Sequence, residues 1–69
     1  MIFKDLIKKI HLNTPIEIYY DDCEFVNEGT VQQIIKMYAW DWFLVNKKIE
    51  SLSINDQTNA LMITLIRNS

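Results

Sequence analysis

Residues 15–35 read "PIEIYYDDCEFVNEGTVQQII", and the apolar period changes within them. Ile16, Ile18 and Tyr20 alternate with Glu17, Tyr19 and Asp21, which is the two-residue period of a strand. "DDCE" at 21–24 supplies turn formers, and "FVNEG" at 25–29 reads as the returning strand of a hairpin. Thr30 followed three residues later by Gln33 is a capping-box pattern, so a helix is expected from Val31. Its apolar positions Val31, Ile34, Ile35, Tyr38 and Trp42 recur at helical spacings and predict a stripe packed on the sheet. A hairpin that runs directly into an amphipathic helix sets the class as α+β.

Working outward, Ile2, Phe3, Leu6, Ile7 and Ile10 form one apolar stripe, which predicts a helix over 2–11. "NTP" at 13–15 ends it, because a residue before proline resists helical angles. Toward the other end, "KKIESLSIND" (47–56) and "NALMITLIR" (59–67) read as a second hairpin, with its turn in Asn55–Asn59. In the last strand Leu61, Ile63 and Leu65 face one way, and Met62, Thr64 and Ile66 the other. Both faces are mostly apolar, so this strand is expected at the centre of its sheet and covered on both sides. Two helices cover one face, and a second copy is the simplest cover for the other. The expected architecture is a single domain over 1–69 in the order helix, hairpin, helix, hairpin (αββαββ). Its four-stranded sheet is antiparallel-rich, with both helices on one face.

Composition narrows the function classes. The chain has 69 residues, 49% of them hydrophobic, with one glycine and one proline, which is the composition of a folded domain. Cys23 is the only cysteine, so no disulfide forms within a monomer, and His11 with Cys23 makes no zinc spacing. No apolar run approaches the roughly 20 residues needed to span a membrane. The N-terminal "MIFKDLIKKIH" interleaves lysine with apolar residues, unlike a secretory leader. With a lone thiol, this is the usage expected in a reducing bacterial cytoplasm. Nine acids against seven bases give a net charge of −2. Five of those acids are Glu17, Asp21, Asp22, Glu24 and Glu28, and no lysine or arginine lies between His11 and Ile35. A direct nucleic-acid binder carries the opposite balance, so binding to DNA or RNA is not expected.

The midpoint, "YAWDWFLV" at 38–45, holds Trp40 and Trp42 around Asp41. If the second helix runs through 44, Met37, Trp40 and Leu44 form a second apolar face, well rotated from the first. If it stops near Tyr38, the segment is extended, and Trp40, Trp42 and Leu44 share one side. Either geometry leaves more bulky apolar surface than one core face absorbs. Large aromatics at such places serve either as core or as contact residues.

Candidate chemistry is sparse. One His and one Cys offer no nucleophile–base pair with an orienting third group, so no catalytic residue is assigned. His11 is expected to meet the carbonyls that end the first helix, and Cys23, among acids, is expected to be inert. "DDCE" lacks the spacing and glycine of a calcium loop, and Gly29 is expected at a turn or bulge before the helix. No metal and no cofactor is expected.

The acids of the first hairpin make a negative region that would steer a basic partner. The arrangement "DLIKKI…NTPIEIYYDD…EFVNEGTVQQI…KKIESLSIND…ALMITLI" resembles small proteins encoded by bacteriophages and mobile elements of low-GC Gram-positive bacteria. The likeness rests on Leu6, Ile7, Ile10, Glu17, Ile18, Tyr19, Asp21, Glu28, Gly29, Val31, Ile49, Ser51, Leu52, Asp56, Leu61 and Ile63, and departs from the pattern at "YAWDWF". It implies a setting in which short genes encode inhibitors of host machinery, anti-CRISPR proteins among them. The expected function is non-enzymatic: occlusion of a host protein with a basic surface, through Tyr19, Asp21, Asp22, Glu24, Trp40, Asp41 and Trp42. The alternatives are a homo-oligomeric assembly protein, joined through Met37, Trp40, Leu44, Met62 and Ile66 as a homodimer, and a nucleotide-type small-molecule sponge.

Overall fold

The computed structural model describes residues 1–38 and 42–69, and for Tyr38, Trp42 and Phe43 the backbone alone. The elements in chain order are α1 (Phe3–Ile7), β1 (Pro15–Tyr20), β2 (Phe25–Thr30), α2 (Val31–Tyr38), α3 (Trp42–Val45), β3 (Ile49–Ile54) and β4 (Leu61–Leu65). The chain is α+β with one four-stranded sheet in the order β2-β1-β4-β3. Each hairpin is antiparallel, but β1 and β4 run parallel with Ile18 opposite Ile63. The sheet is therefore mixed, and β4 takes the central position that its two apolar faces require.

The hydrophobic cluster joins Ile16 and Ile18 of β1 and Ile63 and Leu65 of β4 to Phe3, Leu6, Val31, Ile34 and Leu44. Alternation along the strands assigns the sheet's other face to Glu17, Tyr19, Phe25, Glu28, Ser51, Ser53, Met62 and Thr64. None of these eight belongs to the cluster.

Local chemistry explains several boundaries. The capping box closes reciprocally: the Gln33 N–H donates to Thr30 Oγ1 at 3.2 Å, and the Thr30 N–H donates to Gln33 Oε1 at 2.9 Å. Gly29, at φ +150°, lets that side chain lie close, since a Cβ there would sit 2.8 Å from Gln33 Oε1. Each hairpin tip has one residue with positive φ, Cys23 (69°) and Asn59 (59°).

Four readings need correction. The first helix starts at Phe3 and ends at Ile7, not over 2–11. Ile2 instead bridges Lys48, with the Ile49 N–H bonded to the Met1 carbonyl and the Phe3 N–H to the Lys47 carbonyl. His11 does not engage the helix end, because its Nδ1 accepts the Asn13 N–H at 3.0 Å in an exposed turn. Ile35 is exposed while Val31 and Ile34 are buried, so the helix stripe is narrower than its spacing implied. Residues 42–45 are helical, so the extended alternative for this segment does not hold, and Leu44 is buried in the cluster. Leu44 therefore cannot serve a self-association face.

Candidate binding face

The side of the sheet away from the cluster is built around one carboxylate. Glu17 is only 5% exposed, yet among the described residues no cation pairs with it. It accepts from Asn55 Nδ2 at 3.1 and 3.3 Å, from Thr58 Oγ1 at 3.0 Å and from the Tyr19 hydroxyl at 3.3 Å. The parallel seam makes this possible. It sets β4 beside β1, so the Asn55–Asn59 turn that leads into β4 ends at Glu17. Bonding from Asn55 first, then Thr58 and Tyr19, holds the Glu17 carboxyl below its ordinary range against the opposing effect of desolvation. The Tyr19 phenol shifts upward, through desolvation first and the Glu17 charge second.

Beside this group, Tyr19 and Phe25 stack edge to face, with ring centroids 5.5 Å apart and planes at 67°. Phe25 is 49% exposed. Glu28 lies directly across from Glu17 on the neighbouring strand and is exposed. An open depression of about 310 Å³ runs between them, lined by Pro15, Ile16, Gly29, Thr58 and Ala60 as well. The face thus combines an exposed aromatic with carboxylates on paired strands.

The expected acidic residues sit at the adjacent hairpin tip, and the chain supplies their partner. Arg67 Nε bonds Asp22 Oδ2 at 3.0 Å, and its Nη2 reaches Glu24. The Arg67 N–H donates to Asp21 Oδ1 at 3.4 Å, and the guanidinium lies 4.0 Å from the Tyr20 ring centroid. The bond from Arg67 is the first cause that holds the Asp22 carboxyl below its usual range. Two carboxylates, Asp22 and Glu24, share one guanidinium and Asp21 takes the Arg67 backbone N–H, so the tip stays negative but is not a free row of acids. Asp21, Asp22 and Glu24 are all exposed.

Of the other expected contact residues, Met37 is exposed on α2, where its Sδ accepts from Asn27 Nδ2 at 3.2 Å. Met62 and Ile66 are half-buried. Trp40, Asp41 and the Trp42 side chain lie outside the described residues. Sequence reasoning missed Phe25, Arg67, Asn55 and Thr58. The first was assigned only to a returning strand. The other three reach their partners through the parallel β1–β4 register, which no local spacing encodes.

Among the described residues no group of three or more His, Cys, Asp or Glu could hold a metal ion. No helix among them is long and apolar enough to cross a membrane. Compared with family models, with curated proteins and with solved structures, the chain matches none.

Proposed function

We propose that this chain works by binding another protein and performs no chemistry. In the phage or mobile-element setting implied by its resemblance, it is an inhibitor that occludes a basic surface of a host defence complex. The reading takes the chain as αββαββ with its helices on one sheet face, which leaves the other for the target. The observation that carries it is Phe25, half in solvent and stacked on Tyr19, beside the carboxylates of Glu28 and the hairpin tip. An exposed aromatic held by its neighbour loses little entropy on contact, and surrounding acids select a basic counterpart. Asp21, Asp22 and Glu24 contribute long-range attraction, with Arg67 fixing two of them in place.

The test is retention of host-lysate protein on the immobilised chain, comparing wild type with Phe25→Ala and Glu28→Lys. Both positions are exposed, so both variants keep the fold. Phe25→Ala is expected to weaken retention about tenfold or more. Glu28→Lys is expected to weaken it less and to flatten its salt dependence. Retention that neither substitution alters would sink the proposal.

A further inference from the structure

The two edges of the sheet are guarded unequally. The β2 edge carries Glu24 and Glu28 beside it, and its pairing with β1 is bulged at Ile18/Tyr19. The β3 edge, "IESLSI", has no proline and no lysine, and Glu50 is its one charge. Sheet edges without such devices invite another strand. The chain covers the beginning of this edge itself. Met1–Phe3 bonds to Lys47 and Ile49.

Hydrogen-bond phase shows what remains open. The Asn55 N–H donates to the Ala60 carbonyl at 2.9 Å, which makes Asn55 and Ala60 a bonded pair. Antiparallel pairs alternate, so Ser53 with Met62 and Ser51 with Thr64 also direct their backbone groups inward. Leu52 and Ile54 then point their N–H and C=O groups outward, toward an edge that no strand among the described residues pairs. Their side chains are 46% and 58% exposed although they pair with Ile63 and Leu61. Outward backbone groups and exposed aliphatic side chains thus belong to the same two residues.

We propose that a second copy of this chain occupies that edge, β3 against β3, antiparallel about a twofold axis at Ser53. In this register Leu52 meets Ile54 of the second copy and Ile54 meets its Leu52. Both are bonded pairs, so four backbone hydrogen bonds form, and four exposed aliphatic side chains gather on one side. Ser53 faces Ser53 of the second copy. The same short segment supplies both halves, as a twofold contact requires. The contact joins two four-stranded sheets into one of eight strands. It is separate from the Phe25 face and leaves that face open.

The experiment is sedimentation over a concentration series, with a cross-linking arm in a Cys23→Ser background. Wild type is expected to rise from its monomer mass of 8.2 kDa toward twice that value. Ile54→Lys, at an exposed position, is expected to hold the mass at the monomer while circular dichroism shows the fold kept. Ser53→Cys sits in a non-bonded pair whose Cα separation of about 4.5 Å suits a disulfide, so it should cross-link on oxidation. Ser51→Cys, which faces Asn55 of the second copy, should not. A wild type that stays monomeric throughout overturns the proposal. So does a dimer that Ile54→Lys leaves intact, or one in which Ser51→Cys cross-links as well as Ser53→Cys. Phe25→Ala should leave the dimer unchanged, so this result and the host-binding result are read independently.

Discussion

Each hairpin is pinned at its tip by a residue of the other, but by opposite means. The β1–β2 tip is held by Arg67, which follows β4, through ion pairs in solvent. The β3–β4 turn is held by Glu17 of β1, a hidden carboxylate that accepts from neutral donors. The contrast teaches where polar contacts hold a fold. Exposed ion pairs compete with water and salt and contribute little. A buried carboxylate must keep its donors, because leaving either side unpaired costs the desolvation of that group.

The largest expected effect falls on the seam that both hairpins share. Ile18→Ala or Ile63→Ala removes a fully buried side chain from the parallel pair and should cost about 2–5 kcal/mol. Domain stability scales at about 0.05–0.15 kcal/mol per residue, so much of a chain this short would unfold. Urea unfolding followed by fluorescence and by circular dichroism should give coincident curves. Separate transitions would mean that the hairpins fold independently and that the cross-pinning is incidental.

Next comes Glu17→Ala, which strands the Asn55 and Thr58 donors. Its melting temperature should fall further than that of any substitution at the Arg67 cluster. Glu17 also has a pH signature. Its carboxyl titrates lower in the folded chain than in the unfolded one, so its stabilisation is present above the ordinary glutamate range. It is lost as pH falls through the folded value. Acid titration of the melting temperature should show this loss in wild type and a shallower slope in Glu17→Ala. An identical slope would remove Glu17 from its role as the clamp.

Gly29→Ala probes the first hairpin instead. At φ +150°, with Gln33 Oε1 in the way, the added methyl should cost about 1 kcal/mol or more and loosen the start of α2. Thermal melts would record it. The smallest effect belongs to Arg67→Ala. Its pairs with Asp22 and Glu24 are exposed, so the melting temperature should shift little, and less still in high salt. A large, salt-insensitive loss would reverse the comparison between the two tips.

What the sequence disclosed follows the same division between near and far. The Thr30–Gln33 capping box and the β1 alternation span a few residues and stand in the structure as the spacing predicts. The central place of β4 was readable because both its faces are apolar. The parallel β1–β4 register was not, since it joins residues about 45 apart and leaves no periodic trace. The clamp on Glu17 and the Arg67 pairs are consequences of that register, so they stayed hidden with it. Ile2 carries the helix pattern yet pairs with Lys48, because an open strand edge outcompetes one more turn of a short helix. Ile34 and Ile35 read alike in sequence, and only the way α2 sits on the tertiary cluster decides which is buried.

The small strap formed by Met1–Phe3 has a practical consequence. It runs antiparallel to the outer rim of β3, with Met1 at Ile49, so anything an experimenter attaches ahead of Met1 would be aimed along Leu52 and Ile54. A purification handle at that end would act as a tethered competitor for the rim, while one attached after Ser69 would be delivered elsewhere.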